Sequence, residues 1–171
     1  MAKIDSIVRI SGGVLLNSPS VDSIEDIKIS SIKVKRGDLF IDVNSSNEEI
    51  KIAIENGAYC IITPSIPKIS DEEIAWISVE DLEKSIIKLI RFFATQKNFK
   101  FIPLLAVQYA LAKSLHVEER VKLLSSDPSI ALMQILKSES KTLFFVVKNS
   151  FIGSIDPTIK QLPSKIEPTK I

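Results

Sequence analysis

The spacing of apolar positions divides the chain into short helices and strands. Ile4, Ile7, Val8 and Ile10 recur near helical spacing, so residues 4–16 read as a short amphipathic helix closed by Gly12–Gly13 and then a strand. Asp5 or Ser6 stands where a helix cap belongs. Residues 18–23, SPSVDS, form a turn-rich connector. Residues 27–34 alternate as a strand, and Gly37–Asp38 then turns the chain into the apolar run Leu39 to Val43. Residues 45–58 carry a helix signature, with Ser46 or Asn47 at the cap and Glu48 and Glu49 in the first turn. Ile50, Ala53 and Ile54 make its stripe, and Asn56–Gly57 ends it. Residues 59–63 and 75–79 read as short buried strands, the first stopped at Pro64. Leu82, Ile86, Leu89, Ile90 and Phe93 then set a helical period over residues 80–96.

Beyond residue 98 the rhythm changes. Residues 102–115 read as a helix with Pro103 at an early position, and 120–124 as a strand. Residues 127–139 follow as a helix capped by Asp127 with Pro128 in the first turn, and 141–149 as a strand. Residues 160–171 are rich in Pro and Lys and read as an extended tail. Strands alternating with helices predict an α/β domain over residues 1–98. Residues 99–171 predict a small β-α-β extension that packs on it, being short of what an independent core requires.

Composition narrows the chemistry. A net charge of +1 offers no broad field for nucleic acid or anionic lipid. No window approaches the ~18 consecutive apolar residues of a membrane span, so neither nucleic-acid binding nor membrane insertion is expected. Cys60 is the single cysteine and lies in an apolar run, which suits a buried hydrophobe in a reducing, cytoplasmic setting. The one histidine, His116, lacks the spacing of a metal or nucleophile site and reads as a helix-end surface residue. Asp71, Glu72 and Glu73 sit in a connector, while Glu80, Asp81 and Glu83 sit at a helix start, where acids meet the helix dipole favourably. Trp76 reads as core, and Lys33, Lys35 and Arg36 as a solvated turn. No catalytic, cofactor-binding or metal-ligating residue is assigned.

Two words carry a resemblance: SSIKVKRGDLF at residues 30–40 and IAIENGAYCIIT at 52–63. In this order and separation they resemble the N-terminal domain of the Mur ligases, most closely the MurE and MurF types, over about the first 98 residues. The family pattern is D-S-R-x-V-x-x-G-D-L-F followed by a polar loop, a helix ending in G-A and an apolar strand. The resemblance implies a sheet with flanking helices that holds the UDP end of a UDP-N-acetylmuramoyl peptide. It places substrate contacts at Ser30, Ser31, Asn44, Ser45 and Ser46. Ser30-Ser31-Ile32 stands where the family has Asp-Ser-Arg, and the loop at residues 42–47 is shortened. An isoleucine offers none of the donors of an arginine fork.

In the family an ATPase domain follows, opening on strand, G-x-x-G-K-[ST], helix, because phosphates must approach backbone N–H groups where a Cβ would collide. Here no glycine lies between residues 58 and 152, and VQYALAKS at 107–114 keeps only Lys113–Ser114 of that pattern. The expectation is a non-catalytic Mur-ligase-like protein, a binding or scaffolding module in peptidoglycan precursor synthesis. Residues 99–171 would then be a degenerate remnant of the ATPase domain. Its partner would be a UDP-muramoyl species or a Mur ligase. The alternative is an accessory subunit of an amide-bond-forming ligase whose ATPase function another chain supplies.

Overall fold

The computed structural model describes residues 2–65, 69–114, 120–148 and 150–151. The chain opens with β1 (Ala2–Lys3), α1 (Ile4–Ser11), β2 (Val14–Leu15), β3 (Ser23–Ile24) and β4 (Ile27–Lys28). A 3-10 turn (Ser31–Lys33) leads to β5 (Leu39–Ile41), α2 (Asn47–Glu55), β6 (Cys60–Thr63), β7 (Ala75–Ser78) and α3 (Leu82–Gln96). The remainder is β8 (Lys100–Leu104), α4 (Ala106–Ala112), β9 (Val121–Leu123), α5 (Pro128–Lys137) and β10 (Leu143–Val147).

The main sheet runs β2-β7-β6-β5-β4. Strands β4 to β7 are parallel, and only β2 joins antiparallel. Successive strand residues face opposite sides, so each face builds its own core. Phe40, Ile61 and Trp76 meet Ile50 and Ala53 of α2 together with Val34. Leu39, Ile41, Cys60, Ile62 and Ile77 meet α1 through Ile4 and Ile7, and α3 through Ile86, Leu89 and Ile90. The result is a mixed α/β fold with a central sheet between helices. Gly13 permits the close approach of the α1 turn to this sheet, since a Cβ there would sit 2.5 Å from Ile77 and 2.8 Å from the Ser78 carbonyl.

Most helix ends follow the chemistry of the sequence. Ser46 caps α2 by accepting the Glu49 N–H, Asp81 caps α3 through Lys84, and Asp127 caps α5 through Ser129 and Ile130. The start of α1 differs: Lys3 occupies the cap without a side-chain bond, and Asp5 lies inside the first turn. The reason is β1, which pairs with β3 and sets where the helix begins.

Two expected elements are corrected. The strand at 27–34 stops at Lys28, because the Ser30 carbonyl accepts the Lys33 N–H at 3.0 Å and winds Ser31–Lys33 into the 3-10 turn. The helix expected at 102–115 begins only at Ala106, since Lys100–Leu104 pair in parallel with β10. Pro103 sits within that strand without disrupting it, because β8 is an edge in the order β8-β10-β9. The extension is therefore β-α-β-α-β with a parallel sheet of its own.

That extension shares its core with the first sheet. Leu132 and Ile135 of α5 pack in the same cluster as Leu89 and Ile90 of α3. Phe144 lies edge-on to Phe99 at 5.2 Å and stacks on Phe101 at 5.9 Å. His116, Gly153 and the tail at 160–171 lie outside the described residues.

Candidate functional site

In open parallel sheets, ligands bind outside the carboxyl ends of the strands. Here the loops leaving β4, β5, β6 and β7 share that edge. Its organising group is Asp42, fully buried just past β5. Asp42 Oδ1 accepts the Ser46 N–H at 2.9 Å, and Oδ2 accepts the Thr63 hydroxyl at 3.1 Å. Thr63 Oγ1 also lies 2.9 Å from Ser65 Oγ and accepts the Ser65 N–H at 3.3 Å. A buried carboxylate with both oxygens bonded thus ties the loops after β5 and β6 together. No sequence motif singled out Asp42 or Thr63; the available signal was an acid interrupting the apolar run after Leu39.

The loop that Asp42 holds presents three of the five candidate residues. Asn44 and Ser45 are exposed, and Ser45 adopts φ 52°. Asn44 Nδ2 donates to Glu49 Oε2 at 3.1 Å, and the Ser46 hydroxyl is committed to the α2 cap. The other two lie elsewhere. Ser31 is buried, and its carbonyl accepts Asn56 Nδ2 at 3.0 Å, just past the far end of α2. The nine residues of α2, about 13 Å at the usual helical rise, separate that bond from the Ser46 cap. Ser30 lines a groove against α5 instead. Ile32, in the place of the family arginine, is 76% exposed.

The turn words are joined in space. Gly37 N–H donates to the Gly57 carbonyl at 3.0 Å, and both glycines adopt φ 93°. Asp38 is buried, and its Oδ2 accepts the Lys35 N–H at 2.9 Å. Arg36 donates through Nε to the Tyr59 hydroxyl at 3.2 Å. The hydrogen bond to that hydroxyl raises the Arg36 pKa above its ordinary value. Trp76 is core, donating its indole N–H to the Asp71 carbonyl at 2.8 Å.

The segment that would hold a phosphate loop has another geometry. After β8, α4 begins at Ala106 with Leu105 as its cap residue. Lys113 Nζ lies 5.5 Å from the Tyr109 ring centre, and the Ser114 hydroxyl donates to the Leu111 carbonyl at 2.7 Å. Tyr109 in turn donates its hydroxyl to the Leu124 carbonyl at 2.6 Å. Lys113 and Ser114 are thus drawn onto the helix itself.

Among the described residues, no three His, Cys, Asp or Glu side chains converge to hold a metal, and no helix is long and apolar enough to cross a membrane. Burial pushes the Cys60 thiol far above its ordinary pKa, so it carries no thiolate.

The chain has the architecture of Mur-ligase domains, and MurF enzymes are among the solved structures similar to it. A MurF crystal structure from Acinetobacter baumannii superposes with a TM-score of 0.59 at 16% identity, covering 85% of this chain and 35% of that one. The UDP-N-acetylmuramoylalanyl-D-glutamyl-2,6-diaminopimelate–D-alanyl-D-alanyl ligase from the same organism gives 0.60 at 15% identity, with 85% and 36% covered. MurF ligase from Thermotoga maritima, solved in complex with ADP, gives 0.52 at 20% identity, with 81% and 35% covered. The chain thus spans about a third of the length of these enzymes. At 85% coverage the superposition extends past residue 98 into the second sheet. No protein-family profile matches the sequence, and no curated protein matches it.

Proposed function

We propose that this chain is a Mur-ligase-like binding or scaffolding module for peptidoglycan precursor synthesis, without ATP-dependent catalysis of its own. The observation that carries this reading is the run β8–Leu105–α4, where a helix lined with side chains follows the strand directly. A phosphate cradle needs several backbone N–H groups converging on open space, whereas here the Leu105 N–H is taken by Gln108 Oε1 and the Tyr109 and Lys113 N–H groups by carbonyls of the helix, with no glycine in the run. The MurF-like fold extends into this second sheet, which supports residues 99–171 as a changed ATPase-domain remnant and not an unrelated addition.

The ligand reading rests on the carboxyl edge of the first sheet. Asp42 and Thr63 hold a loop that offers Asn44 and Ser45 to solvent, and a UDP-muramoyl species is the ligand class to which the fold likeness points. Ser31 is buried in the 3-10 turn and bonds at the other end of α2, apart from that loop. The partner is such a precursor or a Mur ligase itself, in a reducing cytoplasmic setting. ATP titration and an ATPase assay on the pure chain test the reading: no binding at micromolar ATP and no hydrolysis are expected, and either activity contradicts it.

One observation favours the accessory-subunit reading. Val107 and Leu111 of α4 are 64% and 61% exposed and lie one helical turn apart. Such a face suits burial against another chain. Ligation that appears only when this chain is mixed with a phosphate-loop partner would support it; no gain over that partner alone would remove it.

A further inference from the structure

A second concave site lies away from the Asp42 loop, where β4 faces α5. The groove has a volume of about 540 Å³, within the range of small-molecule sites. Ile29, Ile130, Met133 and Leu136 supply its apolar lining. Ile130 is 51% exposed, an apolar side chain left open at the groove. Met133 adds an unbranched, adaptable wall.

Charge around the groove is one-sided. Lys28 is matched, pairing with Asp26 and lying 3.9 Å from Asp38. Lys33 and Lys137 also line the groove, one from the 3-10 turn and one from the last turn of α5. Neither makes an ion pair among the described residues. The charge of Lys137 reaches the groove's single acid, Asp26. Burial raises the Asp26 carboxyl, but the Lys28 and Ile27 hydrogen bonds, with the charges of Lys28 and Lys137, bring it below its ordinary value. An apolar lining flanked by two lysines that make no ion pair among the described residues is complementary to an amphiphilic anion.

We propose that the groove between β4 and α5 binds a small organic carboxylate with an apolar body, the body on Ile29, Ile130 and Met133 and the carboxylate between Lys33 and Lys137. The site shares only Ser30 with the five candidate substrate residues and lies apart from the Asn44–Ser46 loop. Because its walls come from the first sheet and from the extension, such a ligand also bridges the two.

The test is an amide NMR titration of the full chain with octanoate, with octanol as the uncharged counterpart. Saturable shifts confined to residues 27–33 and 130–137 are expected, with octanol binding at least fivefold more weakly. Reversing both charges, Lys33→Glu with Lys137→Glu, should weaken octanoate about five- to tenfold, and the milder Lys33→Gln with Lys137→Gln by less. Lys51→Glu, on the exposed face of α2, should leave binding unchanged. Saturating UMP should not displace octanoate. Scattered or unsaturable shifts, equal binding of octanol, indifference to the double reversal, or displacement by UMP would each overturn the assignment.

Discussion

Gly37 donates its N–H to the carbonyl of Gly57 at 3.0 Å, so the GDLF turn and the end of α2 are one structural unit. A Cβ on Gly57 would lie 3.0 Å from Arg36 Cα, and φ is 93° at both glycines. Gly57→Ala should therefore destabilise by about 1–2 kcal/mol from backbone strain alone. At about 2–4 °C per kcal/mol for a chain of this size, a thermal melt should fall by a few degrees. An unchanged melting temperature would show that the turn relaxes without cost.

Lys97, at the end of α3, binds the last turn of α5 from outside. Its Nζ donates to the carbonyls of Ile135, Leu136 and Ser138 at 3.2, 2.6 and 2.9 Å. A cation here bonds last-turn carbonyls, of which, among the described residues, only Ile135's also accepts a backbone N–H, that of Ser138, and it meets the negative end of the helix dipole. Burial lowers the Lys97 pKa, with Asp26 opposing and Lys122 adding to the effect. Lys97→Met keeps the stem and removes the donors, and should cost about 2 kcal/mol. Amide exchange should accelerate most over 130–138; uniform acceleration would argue against a local clasp.

Asp42→Ala leaves the buried Thr63 hydroxyl and the Ser46 N–H without their acceptor. About 2–3 kcal/mol should be lost. Asp42→Asn retains one acceptor oxygen and gives the reorientable Thr63 hydroxyl a donor, so about 1 kcal/mol is expected. Denaturant unfolding of both variants checks the ranking, and equal losses would show that the charge matters more than the bonds.

Cys60 is fully buried and has its thiol held protonated by that burial. Thiol-specific labelling should be negligible in the native chain and complete in denaturant. Fast labelling under native conditions would mean that β6 opens readily.

Much of the fold was legible because periodicity and end chemistry agree. Ile50, Ala53 and Asn56–Gly57 defined α2, and Asp127–Pro128 defined the start of α5. The lapses have local causes. Pro103 suits a helix start as well as an edge strand, and only the pairing of Lys100–Leu104 with β10 decides between them. Two-residue strands such as β1 and β3 are too short for any period. The site was less legible. Ser31 and Ser46 are near in sequence pattern but bond at opposite ends of α2, whereas Asp42 and Thr63 meet only after β5 and β6 pair.

The proposed function combines a substrate-type sheet edge with a strand–helix junction that lacks the glycines of a phosphate loop. Parallel titrations of the pure chain with UDP-N-acetylmuramic acid, UMP and ATP test it most directly. Saturable binding of the first two, weakened when Asn44 and Ser45 are replaced by alanine, together with no ATP binding, is the predicted result. Micromolar ATP affinity, or silence from UDP-N-acetylmuramic acid and UMP alike, would contradict it.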